Sequence, residues 1–163
     1  MANTQSMCTS FMSELMYGYH QFGQPTLTSR GSLTAPTNDT FKGALYLASA
    51  TINAGTTAYS ATGEVTGTGY SPGGVTVTNA VAPTSTNAST TAGVAYWTPS
   101  ASLTYTTVTL TTAFDTVLIY NSTQGNRAVS VHTFGSQTIT AGTFTLTMPS
   151  NTTTTALLRF ATT

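Results

Sequence analysis

The sequence predicts an all-β protein, an antiparallel β-sandwich of the jelly-roll type with one short N-terminal helix. From Phe41 onward, short segments in which apolar and polar residues alternate follow one another to the end of the chain. Turn-forming residues separate these segments about every 10 to 15 residues, and no helical period lies between them. Threonine is β-branched, favours strands and makes up about a quarter of the chain.

The helix is predicted from Ser10 to Phe22, "SFMSELMYGYHQF". Thr9 or Ser10 is the predicted cap, Glu14 lies in or near the first turn, and Gly18 weakens the helix. Two interpretations stay open: the helix lies on the chain's own sheet, or it is an arm that docks on a neighbouring subunit. The candidate interface residues are the apolar ones on this face and beside it, namely Phe11, Met12, Leu15, Met16, Tyr19 and Phe22.

The segment 23–40 is predicted to be a loop or extended linker, since it contains two prolines and two glycines and shows no period. We therefore divide the chain into residues 1–40, an N-terminal helix or arm with its linker, and residues 41–163, the β-sandwich domain.

Eight segments carry the predicted strands: 41–52, 73–81, 92–99, 103–110, 115–121, 127–134, 142–149 and 155–161. The segment "DTVLIYN" is the most continuously apolar and is the predicted central strand. Between it and "RAVSVHTF" lies the clearest hairpin, in which Gly125 and Asn126 are free to adopt positive φ.

Charge is almost absent from the chain. Charged residues make up 5% of the 163 residues and the net charge is zero, against roughly 25% in an ordinary soluble domain. The hydrophobic content of 39% argues against disorder, and four scattered basic residues exclude a nucleic-acid surface. A neutral surface rich in hydroxyl groups favours association with other proteins.

The glycine-rich stretch "EVTGTGYSPGGVTVTN" raises the question of a phosphate-binding loop. Such a loop needs a helix after it, whereas this one runs into strand alternation and carries no lysine. We interpret the glycines as structural, forming a tight turn after Pro72 and a bulge or close backbone approach before it: Gly67, Gly69, Gly73 and Gly74.

No catalytic, cofactor or metal site is predicted. The chain has a single cysteine, Cys8, and two histidines, His20 and His132, none at the spacing of a metal site or a catalytic group. No apolar run is long enough to span a membrane. The N-terminus lacks the pattern of a signal peptide, so we expect synthesis in a cytoplasm without export by the usual route.

Three blocks resemble a family of small structural proteins of tailed bacteriophages: "AYSATGEVTGTGYSPGGVTVTN" (58–79), "LIYNSTQGNRAVSVHTFGS" (118–136) and "AGTFTLTMPS" (141–150). The openings "MANT" and "FKGALYLASAT" are also similar to that family's start. The chain departs from the family at Thr133, where an acidic residue is common. The resemblance implies a virion component and brings no catalytic residues with it.

Two functions are compatible with these observations. The first is a capsid decoration (cement) protein, a homo-oligomer and by expectation a trimer, which binds the major capsid protein or other virion proteins through residues 1–40. The second is a tail or adhesion protein that binds host glycans through exposed aromatic residues. The candidates for that binding are Tyr70, Tyr96, Trp97 and Tyr105.

Overall fold

The computed structural model of the protein describes residues 3–16, 18–20, 22, 38–78, 82–86 and 93–161, and of Met16 the backbone alone. These residues contain one helix and eight strands. In chain order they are β1 (Ser6–Met7), α1 (Thr9–Met16), β2 (Phe41–Leu47), β3 (Val75–Thr76), β4 (Thr84–Ser85), β5 (Val94–Trp97), β6 (Leu103–Asn121), β7 (Arg127–Leu146) and β8 (Leu158–Ala161).

The strands form two antiparallel sheets that pack against each other. One sheet has the order β1-β7-β6-β2-β3 and the other β4-β5-β8. Aromatic rings join them, because Phe22 stacks on Phe41 of β2 at 4.4 Å and lies 4.8 Å from Trp97 of β5. The predicted antiparallel β-sandwich with one short helix is thus confirmed, whereas its jelly-roll variant, which requires two Greek keys, stays a prediction.

The helix is shorter than predicted, ending at Met16 and not at Phe22. Gly18 has a φ of +73°, and its N–H donates to the carbonyl of Leu15 while the N–H of Tyr19 donates to that of Glu14. This pair of bonds is the Schellman motif, in which a glycine in the left-handed region terminates the helix. Glu14 therefore lies in the last part of the helix and not in its first turn.

The four predicted strands between residues 103 and 149 merge into two. β6 has 19 residues and β7 has 20, and they pair with each other from Leu103–Leu146 to Asn121–Arg127. β-bulges keep the two strands paired across the predicted breaks, and Thr107 and Ala141 occupy two of them with φ of 54° and 47°. The predicted hairpin turn is confirmed, with positive φ at Gly125 and Asn126.

The other predicted strand segments contain shorter strands than expected. β2 ends at Leu47, β3 is limited to two residues, and β5 and β8 have four residues each. Residues 79–81 of the predicted second segment lie outside the described part of the chain. The two-residue strands β1 and β4 were not predicted, since so short a strand leaves no alternating pattern.

The glycine-rich stretch makes the turn and the close approach that the sequence predicts. Gly73 and Gly74 have φ of 85° and 73° in the turn that leads into β3. Gly67 and Gly69 lie against β6, where a Cβ atom would collide with the carbonyl oxygens of Thr109 and Thr107 respectively. Only glycine allows the two backbones to come this close.

Candidate functional site

The N-terminal segment, residues 3–22, lies on the chain's own sandwich where the structure describes it. β1 pairs with β7 through Ser6–Val131 and Met7–Ser130, and Cys8 and Phe11 are fully buried. Of the two interpretations of the helix, this position agrees with the one in which the helix lies on the chain's own sheet. The proposed boundary between residues 1–40 and 41–163 stays a prediction.

The six candidate interface residues occupy different environments. Phe11 and Phe22 are buried in the core and Leu15 packs against it. Met12 and Tyr19 are the exposed ones, at 50% and 40% of their surface, and the side chain of Met16 lies outside the described residues. Of the six candidates, Met12 and Tyr19 are therefore the residues exposed for a contact in the described conformation, while Phe11 and Phe22 hold the segment in place.

A buried ionic cluster fixes the helix to the hairpin. Glu14 accepts hydrogen bonds from Arg127 Nη1 and from His20 Nε2, both at 2.7 Å. Arg127 also lies over the ring of Tyr19, 4.5 Å from its centroid. Since Glu14 is 6% exposed, its carboxylate is stabilised inside the protein by a partner from the hairpin and one from its own segment.

Asn121, at the end of β6, connects both ends of the segment 20–39. Its Nδ2 group lies 2.6 Å from Asp39 Oδ2, 3.3 Å from the carbonyl oxygen of Tyr19 and 3.2 Å from Nδ1 of His20. A neutral His20 with its hydrogen on Nε2 satisfies both Glu14 and Asn121. Burial lowers the pKa of His20, in opposition to the hydrogen bond that His20 donates to Glu14, and this supports the neutral ring.

Cys8 has no features of a reactive thiol. Its side chain is fully buried, and burial, followed by the charge of Glu14, raises the pKa of the thiol to about 12. A thiolate, the form that acts as a nucleophile, is therefore disfavoured at neutral pH.

A second buried carboxylate, Glu64, was not singled out from the sequence. It accepts hydrogen bonds at 2.7 Å from Tyr59 Oη, from Tyr70 Oη and from the backbone N–H of Gly73. Burial, then the hydrogen bond to Glu64, raises the pKa of Tyr70. The sequence did contain a signal for this cluster, because Glu64 is a lone acid at the start of the glycine-rich stretch and lies between two tyrosines. The arrangement holds the turn 70–74 against the sheet.

Three of the four aromatic residues considered for glycan binding point into the protein. Trp97 and Tyr105 are buried, with Tyr105 Oη donating to the carbonyl of Gly43 at 2.7 Å. The ring of Tyr70 stacks on that of Tyr105 and its hydroxyl is bound to Glu64. Tyr96 differs from the other three. It is half-exposed, its hydroxyl bonds neither to Gly43 nor to Glu64, and it lines an apolar cleft beneath the helix.

The charged groups face inward. Glu14, Asp39 and Glu64 are buried, and Asp115 accepts hydrogen bonds from Asn3 and Thr116. Lys42 and Arg127 are half-buried, and among the charged residues that the structure describes Arg159 alone is fully on the surface. The described surface is therefore formed almost entirely by neutral groups, chiefly the hydroxyls of threonine and serine.

His132 lies between two clefts of about 320 and 310 Å³, which share Gln5, Ala156 and Leu157 as lining residues. Its Nε2 atom lies 2.8 Å from Ser130 Oγ. Burial lowers the pKa of His132 to about 4, so the ring is neutral over the physiological range. No group of three metal-ligating side chains occurs within the described part of the chain.

Comparison of the chain with protein-family models, with curated proteins and with solved structures finds no match. The resemblance of three sequence blocks to bacteriophage structural proteins thus stays a prediction. None of the described helices is long and apolar enough to cross a membrane.

Proposed function

We propose that the protein is a structural component of a bacteriophage virion, and specifically a decoration protein that stabilises the capsid shell through protein–protein contacts. It is made in the host cytoplasm and acts in the virion, bound to itself and to the major capsid protein or other virion proteins. No catalysis is part of this role.

The observation that carries the proposal is the scarcity of charged groups on the surface that the structure describes. The centres of stable protein interfaces are depleted of charged residues, whereas the surfaces of free monomers use charge to stay soluble. Here three of the four acids are buried and Arg159 is the fully exposed charged residue of the described chain. Such a surface is typical of a protein that is in permanent contact with other proteins.

The copy number of the protein in purified virions tests the proposal. We expect quantitative mass spectrometry to find a copy number comparable to that of the major shell protein. A copy number comparable to that of tail proteins would support the glycan-binding alternative, and absence of the protein from virions would overturn both.

The role of the N-terminal segment is tested by point substitutions, because deleting residues 1–40 would also remove Phe11 and Phe22 from the core. We expect Met12→Ala combined with Tyr19→Ala to weaken binding to undecorated capsids by about tenfold, since two side chains at the centre of a contact can carry this much. The matched control is Thr104→Ala, which alters an exposed residue of β6. Capsid binding at parental affinity by the double variant would exclude the exposed apolar side chains of this segment, Met12 and Tyr19, from the contact.

A further inference from the structure

In the part of the chain that the structure describes, one sheet edge is long and has no strand paired to it. β1 covers β7 only at Ser130 and Val131. Beyond it, residues 134–146 of β7, which we term the distal edge, pair with β6 on one side and with no strand on the other among the described residues. Thirteen residues at about 3.3 Å each give an edge of about 43 Å.

The distal edge lacks most of the devices that prevent strands from pairing between molecules. Natural edge strands carry lysine, proline or inward-pointing charges, or are covered by a loop. Residues 128–158 contain no charged side chain, and no proline lies within the distal edge. The exposed positions are Gly135, Ser136, Gln137, Thr138, Thr140, Ala141, Thr143 and Thr145. Of the protective devices, the edge has only β-bulges: the register with β6 shifts between Thr133 and Gln137 and again at Ala141, whose N–H is already bonded to Thr109 Oγ1 at 3.0 Å.

The occupant that fits this edge is a second copy of the same edge. The other strands at the ends of the two sheets, β1, β3, β4 and β8, have two to four residues each. None of them can match an edge of thirteen residues. Two distal edges paired antiparallel about a two-fold axis match in length and place no like charges together.

We propose that the distal edge is the self-association surface of the protein, where two copies join their five-stranded sheets by antiparallel pairing of residues 134–146. Each copy then contributes half of a continuous ten-stranded sheet, and the partly buried side chains Phe134, Ile139 and Phe144 along the edge are covered further. The inference rests on the homo-oligomeric part of the proposed function. It specifies two-fold contacts, and therefore a dimer or a multiple of dimers, where the sequence led us to expect a trimer.

Single-cysteine variants test the pairing directly. In a Cys8→Ala background, which removes the sole native thiol, cysteine is introduced separately at Gln137, Thr138, Thr140 and Thr143. Across a two-fold axis only a residue near the axis meets its own copy, so we expect one position, or two adjacent ones, to form a disulfide-linked dimer on oxidation. No covalent dimer at any position, or equal amounts at all positions and at the control Thr104→Cys, would overturn the proposal.

Lysine substitutions provide a second test with a matched control. Thr104 and Thr145 are partners in the β6–β7 ladder and are both exposed, but only Thr145 lies on the distal edge. We expect Thr143→Lys with Thr145→Lys to weaken the dimer by about tenfold or more in analytical ultracentrifugation, since it places charge on the contact. The pair Thr104→Lys with Thr106→Lys should leave the dimer within about twofold of the parent. Equal effects of the two pairs would overturn the proposal.

These experiments use purified protein and do not depend on the virion. A monomeric protein that is abundant in virions would overturn the edge pairing and leave the decoration role intact. A dimer joined at the distal edge but absent from virions would support the edge pairing and overturn the decoration role.

Discussion

The two halves of the β6–β7 hairpin belong to the same pair of strands, yet they differ in how deeply their side chains are buried. In the half next to the turn, residues 115–121 and 127–133, most positions are buried, and β1 and β2 flank it on both sides. In the other half, residues 103–114 and 134–146, buried side chains occur on β6 alone. No residue of β7 beyond His132 is buried, although the alternation of apolar residues with threonine continues through it.

The difference in burial follows the elements that flank each half. β2 pairs with β6 from Asn121 to Phe114 and then ends. Beyond that point the glycine-rich stretch takes over one side of β6, through the bridge from Thr68 to Thr109. Within the described chain no element covers β7 in this way beyond β1. The self-association that we propose for the distal edge follows from this.

Removing the same side chain from each half measures the difference in stability. Ile119 is fully buried next to the turn and Ile139 is half-buried on the distal edge. We expect Ile119→Ala to lower the free energy of unfolding by about 4 kcal/mol and Ile139→Ala by about 1 kcal/mol, because only the first leaves an enclosed cavity. Chemical denaturation of the two variants at low protein concentration provides the measurement, and equal losses would contradict the comparison.

The close backbone approaches on either side of the sheet give the next largest effect. Gly74 lies against the carbonyl of Gly43 in β2, and Gly69 against that of Thr107 in β6. Both have positive φ, so alanine there would add backbone strain to a collision, and we expect Gly74→Ala and Gly69→Ala each to cost about 3 kcal/mol.

The hairpin turn supplies the control for these two variants. Gly125 has a φ of +67° but no atom within 4 Å of an added Cβ, so Gly125→Ala should cost only about 1 kcal/mol for the strain alone. Thermal unfolding of the three variants separates the two contributions. A loss at Gly69 or Gly74 no larger than that at Gly125 would show that close approach is not the reason for glycine there.

We expect the stability of the protein to depend on pH through His132, which lies at the junction of the two halves. Burial lowers its pKa in the folded protein to about 4, below the ordinary value of about 6.5. The unfolded chain therefore takes up a proton first, and stability is lost as the pH falls from about 6.5 towards 4. We expect His132→Asn to lose less stability over this range than the parent, by on the order of 2 kcal/mol. His20 is present in both proteins, so parallel pH profiles would contradict a role for His132.

The sequence predicted the fold class, the hairpin turn and the structural glycines because each has a local signal. Alternation indicates strands, and glycine and asparagine indicate positive φ, as at Gly125 and Asn126. The continuity of β6 and β7 could not be predicted, since their bulges place Thr107 and Ala141 in the left-handed region, which such residues rarely occupy. The end of the helix had a signal in Gly18, which we interpreted as a weak point and not as a terminator.

The polar clusters were beyond the reach of the sequence for a different reason. Glu14 and Arg127 are 113 residues apart in the chain, and Asn121 and Asp39 are 82 apart. Their proximity depends on how the N-terminal segment lies on the sheet, which no local pattern encodes. The uncovered edge of β7 could not be predicted for the same reason, since whether a strand has an open edge depends on the order of the strands in the sheet.

The contacts of Asn121 have a practical consequence for protein engineering. Its side-chain amide contacts both Tyr19 and Asp39, and Phe22 stacks on Phe41, so the residues that flank 23–37 lie close together on the sandwich. When two ends are this close, each doubling of the length of a flexible chain between them costs only about 0.6 kcal/mol in closure entropy. A foreign peptide or domain whose own ends are close could be inserted between residues 23 and 37, to be displayed on every copy of the protein.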